Sequence, residues 1–190
     1  SIDIDDASHI DVKNNDNFFT KDQSITILAE DECPEFCFTV VENIDQKNIN
    51  ANDETDSICK YLHFAEQYND NFLVNLSNYV MLDKGRPNHF YDLDKIEGNI
   101  TIRKSKENEI FTPIAFEDPV YLPENILIIA DDKKVLSIAG IIGGELSKID
   151  HNTKRIGIEL AYFDPNTVRD TFTKFNLNTD AKWRFESGTD

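Results

Sequence analysis

Two side chains of this sequence, a histidine and a glutamate, are the candidates for acid–base or hydrogen-bonding chemistry. His89 follows a proline in a segment predicted to be a loop. Glu159 lies within a short apolar run, where strand alternation puts it on the face opposite Ile158 and Leu160. Spacing alone favours a solvent-facing glutamate and a histidine packed in a loop. A buried carboxylate would instead be a strong hydrogen-bond acceptor, and a histidine could position or activate water.

Several smaller residues have local backbone roles in this pattern. Gly143 and Gly144 follow an apolar strand and are typical of a tight turn that needs glycine for positive φ. Ser77 and Asn78 are expected to cap the N-terminus of a helix. Thr179 is expected to serve as the N-cap of the last predicted helix.

Composition places the chain among globular proteins. Of its 190 residues, 39% are hydrophobic and 11% aromatic, with thirteen Phe. A disordered chain would have fewer aromatic residues. The formal net charge is -17, which argues against a general nucleic-acid binder because phosphate contacts need clustered Lys and Arg.

The ends of the chain and its cysteines indicate a piece of a longer cytosolic protein. The chain starts with Ser1, its one methionine is Met81, and neither a signal peptide nor an apolar run of about 18 residues is present. The three cysteines, Cys33, Cys37 and Cys59, are expected to be reduced. A zinc site with Cys33 and Cys37 is the less favoured alternative, because no second ligand pair follows, and we predict no metal site.

Periodicity predicts a mixture of strands and helices. Strands are predicted over residues 24–29, 35–41, 100–104, 110–114, 126–130, 135–139 and 155–160. Helices are predicted over residues 56–68 (capped by Thr55 or Asp56), 73–82, 165 to about 175, and 179–185. Gly85 is expected to end the second helix, Asp164 to cap the third, and residues 131–133 to form a hairpin turn.

These elements predict an α+β fold, a β-rich mixed domain with short strands and flanking helices. Residues 1–24 are expected to be poorly ordered or to form a short edge strand. Residues 25–190 are expected to form a single domain or two interleaved lobes.

Five strings resemble the beta subunit of bacterial-type phenylalanyl-tRNA synthetase, in the order and spacing of that family. They are CPEF at 33–36, NYVML leading into GRPNHFYD at 78–92, IAGIIGG at 138–144, IELAYFDP at 158–165, and LNTDA followed by RFE at 177–186. The resemblance covers about residues 31–190. It implies the central editing-domain fold of that subunit.

The resemblance also implies a site for hydrolysing mischarged tyrosyl-tRNA. It places Glu159 where a phenol hydroxyl would be accepted, and His89 at the ester end of the substrate. The backbone of Gly143 and Gly144 would lie beside the phenol oxygen. Further pocket positions implied by the resemblance are Ser77, Asn78, Thr179 and Ala181. Departures from the family lie at Ser77, Asn88, Phe90 and residues 69–75.

The function implied is editing in support of phenylalanylation of tRNA, with a structural module of weakened or lost activity as the alternative. The fragment would need no cofactor, whereas the parent ligase would use ATP and Mg²⁺. Implied partners are the alpha subunit of a heterotetramer, tRNA(Phe) held mainly by other domains, and a tyrosine or tyrosyl ester in the pocket. The implied location is the cytoplasm, without a membrane partner.

Overall fold

The computed structural model describes residues 19–20, 23–46, 53–114, 116 and 118–176. The first strands are β1 (Phe19–Thr20), β2 (Ile25–Ile27), β3 (Glu35–Val41), β4 (His89–Asp92), β5 (Ile100–Lys104) and β6 (Glu109–Phe111). The later strands are β7 (Val120–Leu122), β8 (Leu127–Ala130), β9 (Val135–Ile138), β10 (Ile142–Gly143) and β11 (Ile156–Tyr162). The helices are α1 (Asp53–Phe64), α2 (Phe72–Lys84) and α3 (Pro165–Asn176).

Two larger sheets and a small ribbon organise the strands. One sheet has the order β1-β3-β11-β4 with antiparallel pairing throughout. The second has the order β10-β9-β8-β5-β2 and is antiparallel except for the parallel pair of β2 and β5. Strands β6 and β7 form the ribbon. Because β11 lies between β3 and β4, its side chains are flanked by strands on both sides.

The main core lies between the two larger sheets. Fully buried side chains of the five-stranded sheet, among them Ile100, Ile102 and Leu136, pack with Tyr91 of β4. Phe38 of β3 packs against the same cluster. Each fully buried Ile or Leu contributes roughly 1.5–3 kcal/mol of transfer free energy, so this cluster holds the two sheets together.

Helices cover the outer faces of this arrangement. Leu73 and Leu76 of α2 pack with Phe90 and Ile156 on the far side of the four-stranded sheet. Phe175 of α3 joins a cluster on the other side of the five-stranded sheet. The predicted α+β fold class with short strands and flanking helices is therefore confirmed.

Two of the helices form as predicted because their terminal residues satisfy the free backbone groups. Helix α2 ends at Lys84, and Gly85 after it adopts the left-handed conformation at φ 63°. Asp164 Oδ2 accepts a hydrogen bond from Thr167 N at 2.8 Å, which caps α3 ahead of Pro165. The predicted fourth helix over residues 179–185 lies outside the described residues.

The first helix differs from its prediction at both ends. It begins at Asp53 rather than 56, so Thr55 and Asp56 lie inside the helix and are not its N-cap. It ends at Phe64 rather than 68, because Glu66 takes a left-handed conformation at φ 59° and Gln67 N closes the turn onto Leu62 O at 2.9 Å.

Short strands account for the other differences. The predicted strand 35–41 is confirmed as β3, and 131–133 form the turn of the β8–β9 hairpin. Strands β4, β7 and β10, of four, three and two residues, were not predicted. Phe19–Thr20 pair with Val40 and Val41 at the edge of their sheet. The division of the chain into an entry segment (1–24) and a domain (25–190) stays a prediction. No helix among the described residues is long and apolar enough to cross a membrane.

Candidate active site

Glu159 is buried between the two sheets, so the solvent-facing interpretation is wrong. Its side chain is 7% exposed. It shares a face of β11 with Gly157, and this face is directed toward the five-stranded sheet rather than toward water. Alternation predicts which residues share a face, but the partner sheet decides which face is buried.

A tyrosine hydrogen-bonds to Glu159, and a serine hydrogen-bonds to that tyrosine. Tyr91 lies on β4 next to β11 and is fully buried. Its hydroxyl donates to Glu159 Oε2 at 2.5 Å and lies 2.9 Å from Ser137 Oγ on β9. This chain of three side chains connects the two sheets across the core.

Burial changes the charge of the carboxyl group. Desolvation raises the pKa of Glu159 to about 7, and the hydrogen bond from Tyr91 opposes that rise in pKa because it favours the charged form. The buried thiol of Cys33 lies near enough to Glu159 to be affected by its charge. Desolvation is the larger cause and the charge of Glu159 the smaller, and together they raise the pKa of Cys33 to about 11.

His89 lies opposite Glu159, at the start of β4, so its assignment to a loop is wrong. The two residues are register partners because β4 pairs with β11. The imidazole stands edge-on to the Tyr91 ring, with centroids 4.5 Å apart. Its Nε2 atom is buried and has no hydrogen-bond partner in the described part of the chain. Burial lowers the pKa of His89 to about 4, so the ring is neutral at pH 7.

Gly143 makes the close approach of His89 possible. A Cβ atom at Gly143 would lie 2.3 Å from His89 Cε1 and 2.6 Å from Nε2. A Cβ at Gly144 would lie 2.6 Å from Leu136 O, and the Gly144 N–H already donates to that oxygen at 2.7 Å. Neither glycine has a positive φ; the left-handed residue of this turn is Gly140 at φ 69°. Glycine is required here for space and not for backbone conformation.

Ser77 and Asn78 lie in the middle of α2, so they do not cap a helix. Ser77 Oγ donates to Asn88 Oδ1 at 2.7 Å, and Asn88 Nδ2 donates to Ser77 O at 3.1 Å. Asn78 Nδ2 donates to Gln67 O at 2.9 Å. Since Asn88 directly precedes His89, the Ser77–Asn88 pair fixes the start of β4 against α2.

Phe90, one of the departures from the family pattern, does not narrow the site. It is 7% exposed and is the register partner of Ile158. Both side chains point away from Glu159, into the cluster beneath α2. The candidate residues Thr179 and Ala181 lie outside the described residues.

Sequence reasoning missed three residues at this site: Tyr91, Ser137 and Phe38. A Cβ at Gly157 would lie 2.1 Å from Phe38 Cζ, so the Phe38 ring lies across Gly157 beside the carboxyl group. Period-2 alternation from His89 would have placed Tyr91 on the same face. That signal was lost because β4 was not recognised as a strand.

The site combines a buried acceptor, a neutral imidazole and an aromatic wall. Glu159 can accept a hydroxyl hydrogen bond, and His89 can accept a proton or a hydrogen bond through Nε2 if that nitrogen is unprotonated. Within the described residues, no three His, Cys, Asp or Glu side chains are arranged to hold a metal ion. The chemistry available to these side chains is hydrogen bonding and general acid–base catalysis.

Comparisons with known proteins agree on one family. The model of the B3/4 domain matches residues 32–190. The beta subunit of phenylalanine–tRNA ligase from Fusobacterium nucleatum is 37% identical over 166 residues, which are 87% of this chain and 20% of the relative. The corresponding subunit from Francisella tularensis is 40% identical over 169 residues, 88% of this chain and 21% of the relative. The chain thus spans about a fifth of the length of these relatives.

A solved structure has the same fold. It is an N-terminal fragment of the phenylalanyl-tRNA synthetase beta subunit from Pyrococcus horikoshii, with a TM-score of 0.55 and 15% sequence identity. The match covers 78% of this chain and 45% of that one.

Proposed function

Because this chain belongs to the B3/4 domain family, we propose that it is the editing site of a phenylalanyl-tRNA synthetase beta subunit and hydrolyses tyrosyl-tRNA(Phe). The observation that supports this most strongly is Glu159, a carboxyl group buried between the sheets with His89 opposite it. A buried carboxylate on an apolar wall is suited to select an aromatic ring that has a hydroxyl group.

Such a site solves a discrimination problem that a phenylalanine pocket cannot. A hydrophobic pocket rejects an isostere with one added hydroxyl only weakly, so a second site is needed that prefers the hydroxyl. Phenylalanine would leave without a partner the Glu159 oxygen that does not accept the Tyr91 hydroxyl, which costs roughly 1–3 kcal/mol. In this proposal the selectivity for tyrosine comes from the penalty that this unpaired oxygen imposes on phenylalanine.

Hydrolysis at this site would depend mainly on positioning. An aminoacyl ester is already activated toward water, so orientation of water and ester can supply much of the rate. His89 is neutral near pH 7, and its buried Nε2 has no hydrogen-bond partner among the described residues. In this proposal that nitrogen would hold the attacking water or the ribose. Gly143 lets the His89 ring lie directly against its backbone, because a Cβ there would clash with the imidazole.

The rest of the enzyme would supply the remaining functions in this proposal. Activation of phenylalanine with ATP and Mg²⁺ would take place with the alpha subunit, in the cytoplasm. With a formal charge of -17, the chain would leave most of the grip on tRNA(Phe) to other domains. Ser77 and Asn78 would support the site through α2, while Thr179 and Ala181 would complete the pocket wall.

A deacylation assay tests the proposal. The synthetase that contains this chain is mixed with tyrosyl-tRNA(Phe), and release of labelled tyrosine is measured. We expect hydrolysis above the rate in buffer. Glu159→Ala should lose selectivity and attack phenylalanyl-tRNA as well, whereas the exposed control Glu124→Ala should not. Hydrolysis no faster than in buffer would contradict the proposal.

One observation favours a second candidate, a structural module without editing activity. The Glu159 carboxyl group already accepts a hydrogen bond from Tyr91, which satisfies part of its bonding capacity without a ligand. The same assay separates the two candidates, because a structural module would leave both aminoacyl esters intact.

A further inference from the structure

Among the described residues, Tyr91 is the side chain that links Glu159 to the five-stranded sheet by hydrogen bonds. Its oxygen is 2.5 Å from Glu159 Oε2 and 2.9 Å from Ser137 Oγ. Tyr91 is completely buried, with 0% exposure to solvent. Its ring is fixed between Phe38 and His89, with centroid distances of 6.1 Å and 4.5 Å.

The number of hydrogens on the three side chains sets which group donates in each of the two hydrogen bonds. A phenol has one hydrogen, and a distance of 2.5 Å to a carboxylate oxygen is typical of a charge-assisted O–H···O⁻ bond. Tyr91 therefore donates to Glu159, and the Ser137 hydroxyl must donate to the Tyr91 oxygen. An ionised carboxylate has about four acceptor positions, of which Tyr91 occupies one.

We propose that Tyr91, supported by Ser137, is a positioning residue that holds one oxygen of Glu159 and leaves the other oxygen to accept the hydroxyl of a tyrosyl ester. This inference rests on the proposed function. Tyr91 does not touch the substrate; it acts through Glu159, by fixing the direction of the carboxylate and favouring its ionised form.

The surroundings of Glu159 make the hydrogen bond from Tyr91 important. The titratable groups that face it are Tyr91 and His89 from β4 and Cys33 from the loop before β3. Burial keeps His89 and Cys33 neutral near pH 7, because their pKa values are about 4 and about 11. Phe38 from β3 is apolar. Neither His89 nor Cys33 supplies positive charge, so the carboxylate depends on the Tyr91 hydroxyl to remain a strong acceptor.

Titration of Glu159 tests the positioning contact without reference to activity. The chain is labelled with ¹³C at the glutamate carboxyl carbon, and the Glu159 signal is followed against pH by NMR. Tyr91→Phe removes only the hydroxyl, and we expect the midpoint to move upward by roughly one pH unit, a tenfold change in proton affinity. Ser137→Ala should move the Glu159 midpoint in the same direction by a smaller amount. This variant provides the test if Tyr91→Phe does not fold.

The matched control is Tyr121→Phe, which removes a hydroxyl from a side chain that is 68% exposed on the ribbon. This variant should leave the Glu159 midpoint in place. An unchanged midpoint in both Tyr91→Phe and Ser137→Ala would overturn the proposal.

Selectivity tests the consequence for the ligand. In the synthetase that contains the chain, Tyr91→Phe should lower the ratio of kcat/KM for tyrosyl over phenylalanyl ester on the order of tenfold. The acid limb of tyrosyl-ester hydrolysis should move to higher pH. A ratio that is unchanged, or that rises because Tyr91 had competed with the substrate hydroxyl, would overturn the proposal. If wild type hydrolyses neither ester, the proposed function fails, and the titration alone decides whether Tyr91 positions Glu159.

Discussion

At the scale of single residues, one physical cause acts on Glu159 and His89 in opposite directions. Burial disfavours the charged form of each group, so it raises the pKa of the acid and lowers the pKa of the base. The two side chains lie opposite each other on neighbouring strands, yet they do not become an ion pair. A neutral imidazole therefore faces a carboxyl group that titrates near neutral pH.

This arrangement predicts opposing effects of pH on stability. The folded-state pKa of Glu159, about 7, exceeds its reference value of 4.5. The folded state thus binds more protons, and this group destabilises the fold as pH rises between those values, by about 3 kcal/mol in all. The folded-state pKa of His89, about 4, lies below 6.5. Its contribution therefore rises with pH between about 4 and 6.5.

Glu159→Gln should separate the two contributions. With the acid removed, the free energy of unfolding should increase more steeply from pH 4 to pH 6.5 than in wild type. His89→Asn should do the reverse and give a free energy that falls from about pH 4.5 to pH 7. Urea denaturation at successive pH values measures both, and a Glu159→Gln profile parallel to that of wild type would refute the assignment.

At the scale of elements, the stretch 69–75 that departs from the family pattern forms the start of α2. Asn71 Oδ1 accepts hydrogen bonds from Leu73 N at 2.8 Å and Val74 N at 3.3 Å. Asn75 Oδ1 accepts from Asn69 N at 2.7 Å, and Asn75 Nδ2 donates to Asn69 O at 2.8 Å. Asn71 satisfies free N–H groups of the helix, and Asn75 holds the segment that precedes it, so this different sequence is compatible with the same fold.

Loss of the Asn71 cap should destabilise the chain. Asn71→Ala leaves two backbone N–H groups of a buried helix end without an acceptor, at a cost of about 1–2 kcal/mol. Asn71→Ser is the matched control, since a serine oxygen can cap the helix and the substitution removes the Asn71 Nδ2 atom, which is buried without a partner among the described residues. Equal unfolding free energies for the alanine and serine variants in urea would argue against the capping role.

At the scale of the whole molecule, the net charge of -17 sets the electrostatic behaviour of the chain. A charge far from zero destabilises the compact state through self-repulsion. Local ion pairs, such as Arg103 with Glu109 at 2.7 Å, use a few of the available cations without cancelling the excess. Repulsion between acidic groups is therefore a general cost of this fold.

Salt should reduce that cost. Raising the ionic strength from about 0.01 M to 0.15 M shortens the Debye length from roughly 30 Å to 8 Å, which screens repulsion between distant carboxylates. We expect the free energy of unfolding in urea to increase over this range. Sodium and potassium chloride should act alike because the effect is screening. A decrease in stability with either salt would show that attractive pairs outweigh the excess negative charge.

Much of the architecture was predictable from local sequence because its causes are local. Gly85 and Asp164 end and begin helices through their own backbone and side-chain groups. The turn at residues 131–133 lies between two apolar runs that pair with each other. The five family strings likewise predicted the family that the domain comparison identifies.

The site was decided only by tertiary structure. Alternation predicted that Glu159 lies on the strand face opposite Ile158 and Leu160, but it could not predict that the five-stranded sheet would cover that face. The four-residue strand β4 forms because it pairs with β11, and that pairing places His89 and Tyr91 beside Glu159. Burial, hydrogen bonding across the sheets and the shifted pKa values all arise from contacts between residues distant in sequence. A periodic pattern describes neighbours along the chain, whereas the free energy of a buried charge depends on neighbours in space.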